Sequence, residues 1–158
     1  MRPYEVMIIL DAALEEDALR AQIDTYRRVY REHGHDPARM RVGLTMFCYL
    51  AESAAEANET FERGMEKYFG FLDSITVDAE KQQHSLYDRI PTLARLSGSP
   101  EDAVKRLREL IDYFDVTDFL NMSQFAGSLS HEQITRSMRL FAERVMPHFQ
   151  PGARNGGP

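Results

Sequence analysis

The sequence predicts an α/β fold: three parallel strands with helices packed around them. Two observations carry this. The segment Gly98–Phe149 runs loop, helix, strand, loop, helix, with a start or stop signal at nearly every junction. The segment Val42–Leu50 (VGLTMFCYL) is a nearly unbroken apolar run of strand length, interrupted only by Thr45, as expected for a strand covered on both faces of a parallel sheet.

In chain order, Tyr4–Leu10 is rich in Val and Ile and ends at Asp11, which predicts a first strand over 4–10. Asp11 can cap a helix whose early carboxylates, Glu15, Glu16 and Asp17, suit the helix dipole. Leu19, Ile23, Tyr26 and Tyr30 carry that helix over 14–33 to a glycine stop at Gly34, and His35-Asp36-Pro37 is a turn. The second strand is 42–50. A helix over 53–70 follows, with Phe61, Met65 and Tyr68 on it, ending at Gly70. Between Phe71 and Ser97 the period weakens. Leu86, Ile90, Leu93 and Leu96 suggest a helix that Pro91 interrupts, beside an exposed AEKQQHS run.

From Ser99 the signals sharpen. Ser99 is a cap, Pro100 suits the first helical position, and Val104, Leu107, Leu110, Ile111 and Phe114 bury one face of a helix over 99–114. The third strand is 117–124. Gly127 and Ser128 turn the chain, and Ser130 with Gln133 forms a capping box for a helix over 130–147. Its buried stripe is Ile134, Met138, Phe141, Val145 and Phe149, and Pro147 ends the regular ladder. Residues 1–150 are expected to form one domain, and the Gly- and Pro-rich 151–158 a disordered tail.

Composition narrows the function. Hydrophobic residues at 43% and charged ones at 28% are those of an ordinary soluble domain. A net charge of −6 argues against a nucleic-acid partner. The one cysteine, Cys48, cannot form an internal disulfide, and without a secretory signal the expected compartment is the cytoplasm. No apolar run is long enough for a membrane span. No phosphate loop, dinucleotide fingerprint, nucleophile elbow or C-x-x-C is present. His33 and His35 straddle Gly34 without a ligand spacing, so no metal is expected. Ser123–Gly127 differs, because it lies where a parallel strand ends and ligands of α/β proteins gather. Gln124 can donate and accept hydrogen bonds there, Phe125 can supply an apolar wall, and Gly127 turns the chain. His131 is assigned to the first turn of the last helix, and no catalytic residue is assigned.

The GSPED helix start, FLNMSQFAG and RSMRLFAERVMPHF resemble the C-terminal end of luciferase-like flavin-dependent monooxygenases. The likeness extends back to about Leu19 through AQIDTYRRVYREHGHDP and RVGLTMFCYLAESAAEA. It implies a partial TIM-type (β/α) barrel, because a whole one needs ~250 residues. It also implies reduced flavin mononucleotide (FMN) or a deazaflavin, dioxygen and a small organic substrate as reactants. Gln124, Phe125 and Gly127 would be the cofactor-facing segment, while most flavin contacts in the family come from earlier strands. Such a chain would be catalytically incomplete alone and, with strand edges open, would associate as a homo-oligomer. A second likeness concerns the start. MRPYEVMIILDAALEED, to about Asp24, resembles the sixth protein of the small ribosomal subunit, which implies an RNA- or protein-binding ferredoxin-like beginning. That family's later arginine-rich strand has no counterpart here. Together the two likenesses suggest a chimera or a truncated frame, with a non-catalytic interaction domain as the alternative to an oxidoreductase.

Overall fold

The middle of the sheet is the strand with the strongest apolar signal. In the computed structural model, which describes residues 16–75, 94–125 and 127–150, β1 (Gly43–Leu50) pairs in parallel with β2 (Arg95–Gly98) on one side and β3 (Asp118–Met122) on the other. The register sets Cys48 beside Leu96 and Met46 beside Asn121. Because side chains alternate along a strand, Met46, Cys48 and Leu96 share one face, and Phe47, Tyr49, Arg95 and Ser97 the other. Cys48 is 1% exposed and Tyr49 3%, so both faces of β1 are covered, as its composition predicts.

The chain divides into two units, Met1–Met40 and Arg41–Pro158. In the first, α1 (Glu16–Glu32) is followed by Gly34 at φ 74° and by a single 3₁₀ turn, Pro37–Arg39, capped by Asp36. This fits the glycine stop and the turn read from the sequence. Tilted rings run along its end, Tyr26 against Tyr30 at 5.8 Å and Tyr30 against His35 at 4.7 Å.

The second unit holds the sheet. α2 (Ala54–Ile75) lies against β1 and β2. Ala57, Phe61, Met65 and Phe69 form its buried stripe, packed with Tyr49, Ala51, Phe125 and Leu129. The expected stop at Gly70 does not occur. A glycine inside a helix costs only about 1 kcal/mol, and Leu72, beyond it, packs against this core. α3 (Pro100–Phe114) starts on a complete Ser99–Asp102 capping box and ends with Asp115 in the left-handed region, at φ 50°. α4 (His131–Leu140) starts on the Ser130–Gln133 box, then loosens into a π-helical stretch, Phe141–Val145, and a 3₁₀ turn, Met146–Phe149. Pro147 sits in that turn, where the missing N–H breaks the ladder.

Three further expectations need correction. Arg95–Gly98 is a strand and not the end of a helix. Four residues are too few to show a period, and Leu96 is buried as the inward residue of an alternating pair. β3 stops at Met122 rather than 124. Of the stripe expected on the last helix, Val145 is buried and Ile134 packs on the core, but Met138 is 55% exposed, and Ser137 and Leu140 are buried instead. The helix is rotated to bring the Ser137 hydroxyl onto the end of β1. The expected strand 4–10, the residues Leu86, Ile90 and Leu93, and the tail 151–158 lie outside the described residues.

Candidate functional site

All three strands run the same way, so their C-terminal ends, Leu50, Gly98 and Met122, share one edge of the sheet. Side chains gather there from every following element. Glu52 leaves the end of β1, Ser99 to Asp102 leave the end of β2, and Ser123 to Phe125 leave the end of β3. The last helix reaches the same edge. Ser137 Oγ accepts the buried Leu50 N–H at 2.8 Å. Arg144, on the π-helical stretch, donates to Glu52 Oε2 at 2.8 Å and to Glu101 Oε1 at 2.7 Å. One guanidinium therefore joins carboxylates from the ends of two neighbouring strands. Glu101 is held below the usual carboxylate range by a bond to its own backbone and then by Arg144, and Arg144 is raised in turn, chiefly by its bond to Glu101. Sequence reading missed this trio. Each member looks like an ordinary exposed charge, and only the fold brings them together.

The residues singled out after β3 are placed differently from one another. Gln124 is exposed. Phe125 is 0% exposed, edge-on to Phe61 at 5.3 Å and to Phe47 at 5.8 Å. Its ring belongs to the core and fixes the backbone beside it. Gly127 turns the chain at φ 78°, a conformation that costs other residues. His131 is exposed on the first turn of α4, its ring 3.5 Å from Thr135 Oγ1. On the α2 side, Arg95 lies over the Phe61 ring at 4.7 Å and donates to Ser97, Asn58 and Glu62. Buried Cys48 is an unreactive thiol, pushed up to about 12 by desolvation. Burial first, and Glu56 next, likewise raise Tyr49. Among the described residues no three His, Cys, Asp or Glu side chains stand together as a metal site, and no helix is long and apolar enough to cross a membrane.

The donor set can be compared with the flavin implied by the sequence resemblance. The ring end of such a molecule needs neutral donors and acceptors, and the exposed Gln124 amide offers both. The phosphate end needs free N–H groups or a free cation. At α2 the Glu56 N–H is already bonded to Ser53 Oγ, and at α3 the Asp102 N–H to Ser99 Oγ. The Ser99 N–H is bonded to Asp102 Oδ2 at 3.0 Å. Arg144 is shared by two carboxylates. Among these groups the edge suits a ring and does not suit a phosphate.

Comparison with known proteins agrees with this architecture. The model of the luciferase-like monooxygenase family matches residues 4–145, a span that includes most of the start set beside a ribosomal protein above. The alkanal monooxygenase alpha chain of Photobacterium leiognathi is 23% identical over 152 residues, covering 82% of this chain and 42% of that relative. The crystal structure of monooxygenase RslO1 from Streptomyces bottropensis superposes with a TM-score of 0.70 at 22% identity, over 88% of this chain and 40% of its own. The chain thus spans less than half the length of either.

Proposed function

Because the chain belongs to the luciferase-like monooxygenase family, we propose that it is a C-terminal part of a flavin-dependent monooxygenase acting on a small organic substrate. The observation that carries the reading is the exposed Gln124 just beyond the end of a parallel strand, the place where α/β enzymes hold ligands. Its amide bonds to a heteroatom of the ring or to the substrate. Buried Phe125 and the turn at Gly127 anchor the backbone that carries it. The flavin mononucleotide or deazaflavin, when bound, supplies the electrons with which dioxygen oxidises the substrate. The chain spans less than half the length of the relatives it matches, and the phosphate contacts are expected outside the described residues, with the chain alone an incomplete catalyst. Its expected setting is the cytoplasm, and its expected state a homo-oligomer associated through open strand edges.

The test is a fluorescence titration with oxidised riboflavin and FMN. Saturable binding is expected for wild type. Gln124→Ala should weaken it by about 1–2 kcal/mol, the usual cost of one lost bond to a buried partner, while His131→Ala leaves it unchanged. A wild type that binds neither flavin at millimolar concentration has the family's scaffold without its cofactor site.

A further inference from the structure

We infer that Glu52, Glu101 and Arg144 make the C-terminal edge of this sheet select against phosphorylated ligands, so that the part of a cofactor it admits is the uncharged ring. This deepens the flavin reading and rests on it for the identity of the ring. The selection itself stands on the geometry of the trio.

In a parallel α/β sheet the amino ends of the following helices ordinarily present free N–H groups and a positive dipole at this edge. At α2 and α3 that potential is offset by the chain's own side chains. Glu52 stands two residues before α2, and Glu101 and Asp102 stand in the first turn of α3. Asp102 accepts from the Ser99 N–H and hydroxyl, at 3.0 and 2.8 Å, so its carboxylate occupies the place an anion would take. Arg144 bonds to Glu52 and Glu101, and both its terminal nitrogens are committed, at 2.8 and 2.7 Å. A phosphate approaching Arg144 must displace one carboxylate and lie beside the other. Glu101 and Asp102 are both held below the usual carboxylate range, so the edge keeps its negative charge at neutral pH.

Glu52 and Glu101 are therefore specificity-determining, and Arg144 is the residue they keep from a phosphate. The trio is solvent-exposed, so each carboxylate is expected to weaken phosphate binding by only about fivefold in a water-like dielectric.

The experiment uses the full chain and inorganic phosphate, read by thermal unfolding and by phosphorus NMR line width, with chloride at matched ionic strength as reference. Wild type should show no saturable response to phosphate. The double variant Glu52→Gln, Glu101→Gln should gain one, and adding Arg144→Gln should abolish the gain. If the double variant is unfolded by circular dichroism, either single variant makes the comparison. A saturable response in wild type overturns the inference, as does a folded Gln variant that gains none. In parallel, riboflavin should bind wild type at least as tightly as FMN. FMN bound severalfold more tightly than riboflavin counts against the inference, whereas failure of both flavins counts only against the flavin reading, because the phosphate comparison needs no flavin.

Discussion

Asp118 shows how one side chain can fasten two strands. It accepts from both Arg41 and Thr117, with Arg41 Nε at 2.6 Å, while Thr117 Oγ1 takes the Val42 N–H at 2.9 Å. The amino ends of β1 and β3 are tied at this point. Arg41 first, and Thr117 next, lower the Asp118 carboxyl to about 2. A carboxyl lowered on folding stabilises the native state above its unfolded value of ~3.9, and that contribution is lost as pH falls towards the folded value. Asp118→Asn should therefore unfold at lower urea than wild type at neutral pH, with the gap closing as pH falls from ~4 to about 2. The pair is exposed and screened by solvent, so the gap is small. A gap that persists unchanged at the acid end would assign the effect to something other than this carboxylate. Gln124 and Phe125 make a different point about single residues. The sequence marks both as the end of a strand, yet one is exposed and the other sits in the core. Which of two adjacent residues turns inward is decided by where α2 lies, and local pattern does not encode that.

Among the elements, those with their own punctuation were legible. The cap at Ser99, the capping box at Ser130 and the glycine at Gly34 place the helix boundaries they announce. β2 was illegible because its four residues become a strand only by pairing with β1. The end of α2 was hidden in the same way, since Leu72 is held by tertiary packing that overrides Gly70. Gly64 is the sharper case, where a glycine is required by the packing of one element on another. A Cβ there would stand 3.0 Å from the Phe125 ring and 3.2 Å from Leu129 Cδ2, so α2 approaches the loop after β3 too closely for a methyl group. Gly64→Ala gains about 1 kcal/mol in helix propensity and loses about 1–3 kcal/mol to overpacking. The expected result is a net loss near 1 kcal/mol in a denaturant melt. Gly70→Ala, where nothing lies within 4 Å, should instead stabilise. A Gly64→Ala protein as stable as Gly70→Ala would show that the loop yields freely.

At the scale of the whole molecule, the sheet order leaves β2 and β3 as edges among the described strands. Leu120, at the middle of β3, is 63% exposed, and an apolar edge strand invites pairing with another chain. A two-fold pair of this chain would cover that edge. Light scattering is expected to show a mass that rises with concentration to that of a dimer, and Leu120→Lys to hold it at the monomer. A wild type that stays monomeric at high micromolar concentration would count against the pairing. The same order also fixes a sequence of events during synthesis. Of the described strands β1 leaves the ribosome first, and both of its described neighbours are encoded downstream and pair with β1 and not with each other. The most apolar of the described strands must therefore wait for both of these partners while translation proceeds at about 5–20 residues per second. Its chief hazard is encounter with a copy of itself before β3 is made, which makes yield in the cell sensitive to expression rate and chaperone supply.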